Sequence, residues 1–122
     1  MEVKNYRDLL VWQKAMDLMM ECYKLTEKFP KTEIYGLIGE IRRTSIHIPS
    51  YIADGHGRDY TNEFIQRLSA AHGQLMTLET QWIAADRLQY LSKNEIEPVL
   101  TSCSTVGKLI NGLIRSLKTG HP

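Results

Sequence analysis

The sequence predicts an all-α fold: an antiparallel, up-down-up-down four-helix bundle forming one domain over residues 1–122. Three observations predict it. Apolar residues recur at alternating spacings of four and three in four separate segments, the period of an amphipathic helix. No stretch alternates with period two over a strand's length. The connections are short, which favours antiparallel neighbours crossing at about 20°.

The first segment follows Asp8, which offers an N-cap. Trp12, Met16, Met19, Tyr23 and Thr26 form its stripe, and Leu9, Ala15 and Cys22 widen it. Phe29-Pro30 ends it, because a residue before proline resists helical backbone angles. The second begins near Glu33 and carries Leu37, Ile41, Thr44, Ile48 and Ile52. Pro49 lies inside it, frees the carbonyl of Ser45 and predicts a kink. Gly55 is expected as a left-handed stop and Gly57 as a turn.

The third segment restarts after Asp59 or Thr61, either suited to cap it. Phe64, Leu68, Ala71, Leu75, Leu78, Trp82 and Ala85 make an unbroken stripe, which Leu88 and Leu91 extend. The fourth opens on Ser92-Lys93-Asn94-Glu95, the pattern of a capping box. Pro98 is placed in its first turn. Leu100, Cys103, Val106, Ile110, Leu113 and Leu117 face inward, and Gly120 and Pro122 end the chain. Trp12 and Trp82 are expected to be mostly buried.

Composition narrows the function classes. Hydrophobic residues are 43% and charged residues 24% of the chain, ordinary for a folded domain. Fifteen Lys and Arg face 14 Asp and Glu, a net charge of +1. A dedicated nucleic-acid module carries a clear basic excess, so any such binding here needs a local patch. No uncharged run is long enough for a membrane span, and the charged N-terminus lacks the features of a signal peptide. Cys22 and Cys103 read as reduced core residues of a cytoplasmic protein.

Catalytic and metal motifs are not assembled. A di-iron bundle needs Glu-x-x-His pairs, and none of the four histidines has an acid three residues before it. His47 and His72 fall at comparable heights on neighbouring helices, the weak basis for a two-histidine site. Ser45, His47 and Asp54 match a triad in residue type only, since positions two apart on a helix diverge. The expectation is no enzyme, no cofactor, no metal and no small-molecule substrate.

Two features remain. Residues 44–53, 68–78 and 99–107 carry no charge on any helical face, and Ser69, Ala70, Gly73, Ser102 and Ser104 fill would-be outer positions. These runs fit either a neutral solvated face or burial against a second copy, with Ser69, Ala70 and Gly73 as candidate interface residues. Arg42, Arg43, Arg58 and Arg67 fit either structural ion pairs or a phosphate-binding cluster. Of these, Arg42 is expected to be exposed and Arg58 to be structural.

The motifs Leu10-Val11-Trp12-Gln13, Phe29-Pro30 with Glu33, Tyr35-Gly36-Leu37, Ile41-Arg42-Arg43, and Ile48-Pro49-Ser50 through Ile52-Ala53, Gly55 and Arg58 carry a resemblance. Over nearly the whole chain the sequence resembles the proteins encoded in intervening sequences of bacterial large-subunit ribosomal RNA genes. The resemblance implies a four-helix bundle that assembles as a pentameric ring. It also implies a distant relation to accessory proteins of diversity-generating retroelements, hence RNA or a reverse transcriptase as a partner. His47, Tyr51, Asp54 and Gln74 stand where serine, asparagine, glutamate and serine are usual. The function expected is a non-enzymatic homo-oligomer that binds RNA or a ribonucleoprotein. The alternative is a protein-interaction scaffold.

Overall fold

Four amphipathic stripes must bury themselves against one another, and they do so as a four-helix bundle. A computed structural model describes residues 5–120. The first four residues of the charged N-terminus and the stop expected at Pro122 lie outside the described residues. The helices are α1 (Leu10–Thr26), α2 (Leu37–His56), α3 (Thr61–Arg87) and α4 (Lys93–Lys118). Short 3-10 turns, Tyr6–Asp8 and Lys31–Glu33, precede α1 and α2. Among the described residues α1 packs on α2, α2 on α3, α3 on α4 and α4 on α1, which closes a four-sided arrangement.

Cross-helix contacts set the directions. Gln81 Nε2 donates to Thr44 Oγ1 at 3.1 Å, His47 Nδ1 lies 3.4 Å from Gln74 Oε1, and Gly55 meets Phe64 and Arg67. Numbers rise on α2 as they fall on α3, so the two run in opposite senses. Gly107 against Leu75 and Asn111 against His72 do the same for α3 and α4.

The α3 stripe is buried as expected: Leu68, Ala71, Leu75, Leu78, Trp82 and Ala85 are all inaccessible, and Phe64 packs at the edge. Ile41, Thr44, Ile48 and Ile52 of α2 are buried too. The register of α1 differs. Its buried stripe is Val11, Ala15, Leu18, Cys22 and Thr26, whereas Trp12, Met16 and Met19 are half-buried and Tyr23 is exposed. Both adjacent stripes are apolar, so periodicity alone cannot choose between them. Trp12 instead packs edge-on against Tyr6, with ring centroids 5.3 Å apart. Trp82 fills the core beside Phe29, 5.8 Å away.

Several end signals act differently from their expected roles. Asp8 lies in the first 3-10 turn, which Asn5 caps through Arg7 N–H at 2.8 Å, and Leu9 occupies the N-cap of α1. Glu33 belongs to its own 3-10 turn and accepts from Leu37 N–H, capping α2 from outside. Tyr90 Oη also donates to Glu33 at 2.6 Å, which holds that carboxyl below its usual range. α2 runs through the buried Pro49 as one continuous helix. Tyr60, not Asp59 or Thr61, stands at the N-cap of α3, with no side-chain cap. Leu88 is 52% exposed, because α3 stops there on Gln89 at φ 63°. Pro98 falls in the second turn of α4, since the helix begins at Lys93.

The capping box at Ser92 forms, with Glu95 accepting from the Ser92 N–H at 2.9 Å. Glu95 also pairs with Lys28 at the end of α1, and these two contacts lower its carboxyl to about 2. Cys22 and Cys103 are free and buried, and burial pushes the Cys22 thiol up to about 12. The buried Trp82 indole N–H finds no nitrogen or oxygen acceptor among the described residues and faces the Cys22 thiol, a weak acceptor. No described helix is long and apolar enough to cross a membrane.

Candidate functional site

The corner between α2 and α3 holds the densest charge. Gly55 lies inside α2 and ends nothing: the helix continues to His56, and Gly57 caps it at φ −77°. Its missing side chain serves packing. A Cβ there would sit 2.7 Å from Arg67 Cβ and 2.9 Å from Phe64 Cδ1. This close approach brings the last turn of α2 against the first turns of α3. Asp54 then accepts from Arg58 Nη2 at 3.2 Å and from Arg67 Nε at 3.0 Å, while Arg58 Nη1 lies 3.6 Å from Glu63. Two guanidiniums alternate with two carboxylates, so the network is neutral and stitches the helices together. All four groups are partly solvated, which limits what each pair contributes to about 0.2–1 kcal/mol.

Arg42 and Arg43 lie elsewhere. By helix rise they stand roughly 20 Å from the corner along α2. The exposure expected of Arg42 is not found. Its Nε donates to Thr26 Oγ1 at 2.9 Å, its Nη2 donates to the Tyr23 carbonyl at 3.1 Å, and it stacks over the Tyr23 ring at 4.8 Å. Thr26 Oγ1 in turn donates to the Cys22 carbonyl at 2.7 Å. Arg42 thus places positive charge on the carbonyl end of α1, where the helix dipole favours it. Arg43 pairs with Glu40 at 2.9 Å, with both side chains more than half exposed. The four arginines therefore form two separated groups, each engaged within the chain.

The histidines and the triad-like residues are also kept apart. His47 faces Gln74 on α3, whereas His72 faces Asn111 on α4, so they line different helix pairs. Ser45 Oγ is buried and donates to the Arg42 carbonyl at 2.8 Å. Asp54 is bound by arginines. Among the described residues no group of three or more His, Cys, Asp or Glu is placed to hold a metal ion. A groove of about 660 Å³ between α1 and α4 is lined by Met20, Tyr23, Leu25 and Pro98 with glutamates at its rim.

The uncharged runs separate in the structure. Residues 44–53 turn mostly inward, and Ser50 alone of them is exposed. Residues 68–78 do not: Ser69, Ala70, Gly73, Met76 and Thr77 are exposed on α3. With Gln66, Thr80 and Ile83 they make an outward strip without a charge. A Cβ on Gly73 would meet nothing within 4 Å.

One set of residues went unmarked by motif reading. After Glu97 no Lys or Arg has an Asp or Glu within four residues of sequence, and Lys108, Arg115 and Lys118 of α4 are all exposed. The signal was present in the order of charges, but it forms no named motif.

The sequence matches the family model described as 23S rRNA-intervening sequence protein over residues 7–112. No curated protein matches the sequence. A match across that much of the chain, on a four-helix bundle carrying the motifs above, places the protein in the 23S rRNA-intervening sequence protein family.

Proposed function

We propose that the protein is a non-enzymatic subunit of a closed homo-oligomer that binds RNA or a ribonucleoprotein. The observation that carries the assembly is the α3 strip. Eight outward positions from Gln66 to Ile83 are neutral, and they include Ser69, Ala70, Gly73 and Met76. A solvated helix face ordinarily carries charge, and an apolar or neutral surface of this length suits burial against a copy of itself. Ser69, Ala70 and Gly73 let a partner helix approach closely. A ring of five is the family expectation. The RNA part is supported by the family description, which ties the protein to a ribosomal RNA gene.

A second reading, a protein-interaction scaffold without RNA binding, is favoured by one observation. Arg43, Arg58 and Arg67 each pair with a carboxylate of the same chain, which leaves them less available to phosphates. Electrophoretic mobility shift with a structured RNA at low and at higher salt separates the two. The first reading expects a shift that weakens with salt. A chain that retards no RNA even at low salt leaves the scaffold.

A further inference from the structure

We infer that the RNA-facing surface is the outer stripe of α4 formed by Lys108, Asn111, Arg115 and Lys118, and not the arginines of α2 and the corner. The inference rests on the RNA-binding reading above and names its surface.

Charge order is the first support. Every other lysine and arginine in the chain has an Asp or Glu within four residues of sequence; Lys108, Arg115 and Lys118 do not. The last carboxylate side chain is Glu97, eleven residues before Lys108. The near-zero net charge therefore hides an uneven distribution, with a carboxylate-free helix end.

Geometry is the second. Positions 108, 111, 115 and 118 follow spacings of three, four and three, so they share one face of α4. All four are exposed. None of the three cations makes an ion pair with a described residue, in contrast to Arg43, Arg58 and Arg67. Asp54 and Glu63 at the corner are held by Arg58 and Arg67. Asp17 and Glu21 of α1 share a shallow groove with Ser102 and Thr105, nearer the start of α4 than Lys108. Cations without an ion pair among the described residues are the ones best placed to release counterions when phosphates replace water.

The flanking chemistry selects the ligand class. Thr101, Ser104, Thr105 and Thr119 extend the exposed side, and Asn111 Nδ2 lies 3.5 Å from His72 Nε2. Hydroxyls and an amide among cations suit phosphate and sugar oxygens. A membrane-seeking helix would instead interleave Leu, Phe or Trp with its cations on the exposed face.

The test uses the full chain and a structured RNA hairpin, with affinity measured across salt from about 50 to 200 mM. Lys108→Ala, Arg115→Ala and Lys118→Ala each should weaken binding, and each should flatten the log–log salt slope by about 0.7–0.9 for every phosphate no longer neutralised. Arg115→Lys should retain the slope. The triple alanine variant should bind no RNA at the upper salt while it stays folded with the wild-type helical circular dichroism; these cations pair with no described carboxylate, and losing Arg115 and Lys118 from the last turn of α4 removes only a favourable helix-dipole contact. Arg58→Ala is the control: it should unfold earlier and keep the wild-type slope. If the triple variant binds with the wild-type slope, this surface is wrong and the RNA reading stands. If wild type binds no RNA at low salt, the reading fails and the inference with it. Binding to phosphatidylserine vesicles without binding to RNA also overturns it.

Discussion

Gln89 holds a left-handed backbone at φ 63°, the only non-glycine residue among those described to do so. It closes α3: Gln89 N–H reaches the Asp86 carbonyl at 2.9 Å and Tyr90 N–H reaches the Ala85 carbonyl at 3.0 Å. These two bonds are the pattern that usually takes glycine at this position. A side chain there costs about 1 kcal/mol. Gln89→Gly should therefore raise the unfolding free energy by up to about that amount, and a denaturant midpoint that falls would contradict the assignment. Glu95 gives a second residue-scale prediction. Its folded carboxyl is lowered from 4.5 to about 2 by Lys28 and the Ser92 backbone. The stabilisation is present above the unfolded value and is lost as pH falls from 4.5 through about 2. A carboxyl titration followed by NMR should place the Glu95 midpoint well below those of unpaired glutamates, and Lys28→Ala should move it up. The Ser92–Glu95 box was legible in sequence because both partners are local. Arg42 was not, because its partners Tyr23 and Thr26 sit on another helix and only folding brings them together.

At the scale of elements, α3 was the most legible and α1 the least. The α3 stripe has one apolar face, so its period fixes its register, and Trp82 at its centre is inaccessible. Trp82→Ala should cost about 3–5 kcal/mol in chemical denaturation, and a change below about 1 kcal/mol would contradict its place in the core. α1 has two neighbouring apolar stripes, and the choice between Leu18 and Met19 depends on what packs opposite. The ends of α2 and α3 misled for a related reason. Asp59, Thr61 and Gly55 carry strong local preferences for caps and stops, yet packing at the corner decides. Gly55 is needed where Phe64 and Arg67 approach, and that approach is invisible to any pattern within α2.

On the scale of the whole molecule, the bundle itself was readable from four stripes and short breaks. The candidate arginine cluster was not, since Arg42 and Arg43 sit in the first half of α2 while Arg58 and Arg67 meet beyond its far end. Which uncharged run faces outward was equally hidden: residues 44–53 turn in, and the α3 strip turns out. The proposed assembly buries this strip between copies of the chain. Gly73 isolates it, because a Cβ there meets nothing within 4 Å. Gly73→Glu should leave the fold of each subunit intact while placing an unpaired charge in the interface, where it costs several kcal/mol. Light scattering coupled to size-exclusion chromatography, at micromolar concentration, measures this most directly. Burial of the strip predicts a mass several times the 14.0 kDa subunit for wild type and a monomer for Gly73→Glu, both with the same helical circular dichroism. A monomeric wild type, or a Gly73→Glu variant that keeps the full assembly mass, would contradict it.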